Sequence, residues 1–197
     1  MTDNSKEHQK SRLPPGQHTV DRFPVLQKGK IPHVDRDMYE LKIVGEVKNS
    51  RKLSLQELRD LEDRQIVADI HCVTSWSKFD TEWSGIPFNT IFNIVKPKDS
   101  ANFVEFLCAD GGFTTTVPIE ELRSQNAILA LKYDGLELGD KHGGPVRAVI
   151  PDLYFYKSAK WVETITFLKE DRLGYWERGG YSNKADPWKE QRYRSDD

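Results

Sequence analysis

No run of about 18 consecutive apolar residues occurs in this chain, and hydropathy therefore predicts no helical membrane span. Cysteine is scarce. Cys72 and Cys108 can pair at most once, so the fold is not stapled by disulfides and the count suits a reducing compartment. Neither C-x-x-C nor H-x-x-x-H spacing is present, and a zinc site drawn from Cys72, Cys108, His142 and His71 would have none of the usual spacing behind it. Basic charge is not in excess either: 29 Lys and Arg stand against 31 Asp and Glu, for a net charge of -2. That balance offers no global attraction for nucleic acid or an anionic membrane, and any basic site must be local. The opening stretch MTDNSKEHQKSRLPPGQ has no apolar signal core and no twin arginine, which leaves the cytoplasm as the expected location.

What is present is globular. Hydrophobic residues make up 37% of 197 positions, with five Trp, seven Tyr and nine Phe, enough for one well-buried core. Residues 1–20 read as a polar, disordered tail and 21–197 as a single domain, with a core at 38–170 and an aromatic C-terminal tail at 171–197. Within the core, YELKIVGEV alternates as a strand, and Ser54 with Glu57 forms a capping box before Leu55 and Leu58. Ile66, Val67 and Ile70 read as a strand ending at His71-Cys72-Val73-Thr74. Phe88, Ile91, Phe92 and Val95 share one face of a helix that stops before Pro97. Asp110-Gly111-Gly112 and Asp134-Gly135 mark two hairpins, Ile119 to Arg123 a helical turn, and Val146–Ile150 and Trp161–Leu168 the last strands. The predicted class is α+β, with a mixed sheet or barrel-like core and short helices. The Arg, Trp and Tyr residues after Glu170 have the chemistry to stack on bases, but the negative net charge favours rings packed on the domain surface.

Two stretches carry chemistry. Cys72 sits where a strand ends and a side chain can face a ligand; a buried structural thiol, a metal ligand and a nucleophile are all open to it. Strand alternation points His71 away from it, so a nucleophile would need His142, which has loop freedom. Further on, Arg147, Lys157 and Lys160 flank Gly143-Gly144-Pro145 and Ser158. Glycines there would let backbone amides approach an oxyanion, and the cations would add charge-assisted bonds to phosphate. Arg147 lies inside the apolar run PVRAVIP, where an unpaired charge is costly, so it calls for an anion or an acidic partner.

The stretches DIHCVTSWSKFDTEWSGIPF, FVEFLCADGGFTTTVPIEEL and LALKYDGLELGDKHGGPVRAVIPDLYFYKSAKWV resemble, in that order, the sulfite oxidase family of molybdopterin-dependent oxidoreductases. The resemblance implies a molybdopterin cofactor with one molybdenum per chain, and Cys72 as the single protein thiolate on the metal. It also implies that His142, Arg147, Ser158, Ala159 and Lys160 hold the pterin and its phosphate, with Cys108 or Asp110 beside it; Lys157 joins them on charge alone. Lys78, Lys28 and Tyr133 are candidates to orient substrate. Arginines that accompany the family's cysteine are replaced here by Val73-Thr74-Ser75-Trp76-Ser77-Lys78, the arm reads Leu26-Gln27-Lys28, and Leu131 stands where a tyrosine is expected. Sulfite itself is therefore not implied. No counterpart of the larger members' heme or dimerisation domain appears, so neither the electron donor or acceptor nor the oligomeric state carries over. The expected activity is two-electron oxygen-atom transfer on a small substrate, either sulfite-like oxidation or reduction of a sulfoxide or N-oxide. A non-catalytic pterin carrier and a metal-free cysteine hydrolase using Cys72 and His142 are the alternatives.

Overall fold

The computed structural model describes residues 11–197. Its eleven strands form two mixed sheets and its helices are few and short, an α+β architecture. The first sheet is organised on β5 (Trp76–Pro87), whose twelve residues make it the longest strand described. β4 (Arg64–His71) runs antiparallel along it, β8 (Ile128–Tyr133) pairs with its second half, and β1 (His18–Thr19) lies parallel to Trp76 and Ser77. β9 (Leu136–Glu137) and β10 (Arg147–Val149) flank β8. In the second sheet the order is β3 (Arg51–Ser54), β2 (Glu40–Gly45), β11 (Val162–Leu168), β6 (Phe103–Cys108) and β7 (Thr114–Pro118). Only β2 and β11 run parallel in it.

The local signals are met where they are strongest. Ser54 caps α1 (Leu55–Asp60) with the full reciprocal box to Glu57. Helix α2 (Phe88–Val95) buries Phe88, Ile91, Phe92 and Val95 and ends at left-handed Lys96, just ahead of Pro97. Each of those side chains contributes roughly 1.5–3 kcal/mol on leaving water. Both hairpins form, as β6–β7 and β8–β9. Periodicity does not mark β5, because Lys78, Asp80 and Glu82 interrupt its apolar set. It is held instead from both edges. At its bulge β8 comes so close that a Cβ on Gly85 would sit 2.2 Å from the Leu129 carbonyl.

Residues 11–20, expected in a disordered tail, are instead attached to the core; residues 1–10 of that tail lie outside the described residues. Arg12 bridges Asp69 and Asp80, and His18 and Val20 donate backbone bonds to Ser75 and Ser77. Main-chain pairing to a strand edge orders such a segment without any apolar periodicity. The aromatic C-terminal stretch also packs back, through α3 (Tyr175–Arg178) and a 3-10 turn at Arg194–Asp196.

Lys157 is what locks α3 in place. It is fully buried, 2.6 Å from Glu177, and also donates to the Thr116 carbonyl at 2.9 Å and to Asn183. Removing one partner strands the other charge in the interior. Lys157→Ala is expected to cost about 3–5 kcal/mol in urea unfolding, and Lys157→Met combined with Glu177→Leu to recover most of the loss.

Candidate cofactor site

Cys72 is buried and sits in a tight turn between β4 and β5, its amide bonded to the Trp76 carbonyl at 2.8 Å. Alternation sends the two neighbours apart: His71 bonds Ser77 and lines one cavity, while Cys72 lines another of about 330 Å³. That second cavity is also walled by Asp110, His142, Arg147, Ser158, Ala159 and Lys160. Burial raises the pKa of the Cys72 thiol, with Thr74 Oγ1 at 3.2 Å and Arg192 opposing that shift. A thiol held in its neutral form with no imidazole bonded to it is no activated nucleophile, which counts against the hydrolase.

Another part of the wall is built by two segments laced together. Ala148, Trp161 and Val162 amides bond the Ala159, Gly143 and Val146 carbonyls, which sets Ser158–Lys160 alongside β10. Arg147 is 2% exposed, between the rings of Trp83 at 5.1 Å and Phe155 at 4.5 Å. Its N–H groups go to the carbonyls of His142 (2.9 Å), Ser158 (3.0 Å) and Ala148 (3.3 Å). Among the described residues no carboxylate lies within ion-pair distance of it. Burial presses its pKa down to about 9, which still leaves it charged at neutral pH. A buried cation held only by neutral carbonyls, at the wall of a cavity, fits an anionic ligand. Lys160 adds to it, its ammonium on the Leu26 carbonyl at 2.8 Å and above Trp161. Burial first and Arg147 second lower its pKa to about 7. The same causes, with Lys160 and Lys141, hold His142 below the usual imidazole range.

Not every candidate faces this space. Lys157 is spent on Glu177 and does not line the cavity, so charge alone misplaces it. Cys108 is buried at the end of β6 and is not among the lining residues. Lys78 donates to the Asp21 carbonyl, and Tyr133 packs on Phe23, Trp83 and His142; neither lines the cavity. The glycines act differently from expectation. Gly143 and Gly144 amides are taken by the Asp140 and Gly139 carbonyls, so neither is free for an oxyanion. At φ 96°, Gly143 instead leaves room for Lys160, whose Cβ and Cγ would lie 2.7 Å from an added Cβ. Of the substrate candidates Lys28 does line the cavity, with the arm that carries it; sequence reasoning missed Phe23 and Pro24 of that arm, Trp76, Phe113, Trp176 and Tyr181. The signal for the last two was the aromatic density after Glu170.

A mixed α+β domain that sets one sulfur donor and an uncompensated cation on a single cavity defines a binder of an anionic, metal-bearing cofactor. Residues 28–176 match the family model described as the oxidoreductase molybdopterin binding domain, and the chain belongs to that family, the sulfite oxidase type of molybdopterin oxidoreductases. It is 38% identical over 189 residues to the uncharacterized oxidoreductase YuiH of Bacillus subtilis, covering 95% of both chains. It is 31% identical to the putative protein-methionine-sulfoxide reductase subunit YedZ1 of Azospira oryzae, over 78% of this chain and 58% of that one. With the sulfite oxidase of Arabidopsis thaliana it shares 25% identity, over 82% of this chain but only 50% of the relative. The sulfane dehydrogenase SoxCD of Paracoccus pantotrophus shares the fold, with a TM-score of 0.67 at 17% identity over 90% of this chain and 55% of that one. Molybdopterin is thus the cofactor the family brings, and the unpaired Arg147 is what in this chain fits its anionic end.

Sulfate has a constant charge between pH 6 and 8.5 and serves as a probe of the anion end. Below about pH 7 Lys160 is protonated and adds its charge to that of Arg147; above it Lys160 is neutral and only Arg147 attracts. Sulfate is therefore expected to raise the Tm of cofactor-free protein more at pH 6 than at pH 8.5. Arg147→Leu is expected to weaken the effect at both, leaving at pH 6 the part that Lys160 carries.

Proposed function

We propose that this chain carries out two-electron oxygen-atom transfer on a small substrate, with Cys72 as the protein ligand to molybdenum and Arg147 and Lys160 anchoring the pterin phosphate. The observation that supports this reading is that the Cys72 thiol and the uncompensated Arg147 line the same cavity. When bound, molybdopterin supplies a metal able to take up or release two electrons while an oxygen atom is exchanged. The chain's own residues prepare the place. Cys72, buried and held as a neutral thiol, would serve the metal as a thiolate, the cation displacing its proton. His142 carries no charge at neutral pH, and it offers the pterin a hydrogen bond without competing for its phosphate. Ser158 bonds the Ile150 amide and so fixes the segment that carries Lys160, and Asp110 holds the β6–β7 turn through the Phe113 amide.

The wall also bears on the substrate. Among the described residues its cations are Arg147, Lys28, Lys141 and Lys160, and Phe23, Trp76, Trp176 and Tyr181 add aromatic surface. We read the aromatic share of that lining as the place for a small oxo-compound, a sulfoxide or N-oxide, with the cations engaged by the cofactor's phosphate. In that direction the sulfoxide oxygen leaves as water with two electrons and two protons, and the thioether is released. Among the candidates for orienting the substrate, Lys28 lines the cavity, whereas Lys78 and Tyr133 do not. A carrier needs the anchor but no space at the sulfur, and the aromatic-walled cavity at Cys72 favours an enzyme. Two free cysteines fit a cytoplasmic setting, which is part of the proposal. In the reductive direction the reaction draws its two electrons from a separate donor. Among the described residues no helix is long and apolar enough to cross a membrane.

Protein purified from a host able to make the pterin is expected to carry molybdenum near one per chain. It is expected to oxidise reduced methyl viologen when dimethyl sulfoxide is added. Cys72→Ser is expected to keep the fold and most of the pterin but lose turnover by more than the roughly 100-fold typical of a lost supporting contact. Full turnover by metal-replete Cys72→Ser would sink the ligand assignment, and sulfite-driven dye reduction without sulfoxide activity would reverse the direction.

A further inference from the structure

The turn that carries Cys72 is tied down by side chains from outside the region matched by the family, one from each side of it in the chain. Inside the turn, the Ser75 amide bonds the Cys72 carbonyl at 3.0 Å, with Ser75 at a left-handed φ of 74°. The same Cys72 carbonyl accepts a second bond, 3.0 Å long, from Gln17 Nε2. Gln17 is itself oriented, since its Oε1 accepts from Ser77 Oγ, which also engages His71 Nδ1 at 2.8 Å. The next carbonyl, Val73, accepts from Arg192 Nη1 at 2.6 Å. Arg192 is 9% exposed, rests on the Tyr154 ring at 5.2 Å, pairs with Glu190, and turns its other nitrogen to the Pro15 carbonyl at 3.2 Å.

We propose that Gln17 and Arg192 are positioning residues that aim the Cys72 sulfur at the metal. Two consecutive peptide planes are pinned by them, so the sulfur keeps little freedom beyond rotation about its own Cα–Cβ bond, and Thr74 Oγ1 at 3.2 Å restrains that. The order runs from ligand to turn to terminal segments, and the same Arg192 joins the turn to Pro15. Groups that orient a metal ligand without touching the metal typically contribute about 10–100-fold in affinity or activity, and a displacement of about 1 Å can cost 10²-fold. This inference rests on Cys72 being the molybdenum ligand.

The test uses full-length holoenzyme with Gln17→Leu, Arg192→Ala and Arg192→Lys, and Cys72→Ser in parallel. Molybdenum content, Tm, kcat, KM and the Mo(V) electron paramagnetic resonance spectrum are measured. Gln17→Leu and Arg192→Ala are expected to lower kcat about 10–100-fold with KM little changed, and to shift the Mo(V) signal. Arg192→Lys, which can still reach the Val73 carbonyl, is expected to restore the signal in part. Loss of molybdenum at unchanged Tm also counts in favour. A lowered Tm with unaltered spectrum and kcat would mean that these residues merely fasten the chain ends, and would overturn the proposal. If Arg192→Ala does not fold, Gln17→Leu decides, since it leaves the Arg192 tie intact. A Mo(V) signal that Cys72→Ser leaves unaltered refutes the ligand assignment itself. One that changes in Cys72→Ser while the Gln17 and Arg192 variants stay silent refutes only this inference.

Discussion

A guanidinium enclosed by protein, with no carboxylate partner among the described residues, is the constraint on which the rest of this structure turns. Arg147 is buried between two aromatic rings and satisfied only by main-chain carbonyls, so its hydrogen bonds are met while its charge is not. Carbonyl dipoles soften that cost without cancelling it. The arrangement opens on a cavity, where an anion would complete it. The contrast with Lys157 is instructive. That ammonium is as deeply buried, but Glu177 neutralises it, and it does not line the cavity that holds Cys72 and Arg147.

From that charge outward, neighbouring groups take their properties. Lys160 loses basicity largely through burial and secondly through its proximity to Arg147, and His142 is held neutral by the same surroundings. On the same cavity the Cys72 thiol is also held uncharged. The wall thus carries both a buried cation and a neutral sulfur, and that combination, rather than any single contact, is what fits an anionic, metal-bearing cofactor.

Much of the fold was legible because it is local. The Ser54–Glu57 box, the Phe88–Val95 face and the two glycine turns each specify themselves within a few residues. What was not legible is non-local. Strand β5 is interrupted by Lys78, Asp80 and Glu82 and exists because β4, β8 and β1 pair with it. Residues 11–20 are ordered by the same edge and by Arg12, neither of which leaves a periodic trace. The candidates divided in the same way: Cys72 announced itself at the end of a strand and Arg147 inside an apolar one, whereas Lys157, Lys78 and Tyr133 were plausible by type and proximity alone.

By itself the amino-acid order determined which groups were unusual: a thiol at a strand end and an arginine inside PVRAVIP, each a chemical misfit in its own few residues. Only the tertiary structure decided which misfits share a cavity and which are neutralised elsewhere. Lys157 and Lys160 differ by three positions in the chain, but one points to a buried glutamate and the other to the Leu26 carbonyl at the cavity wall. A charge's partner is set by packing across the sheets, over distances in sequence that no local pattern encodes.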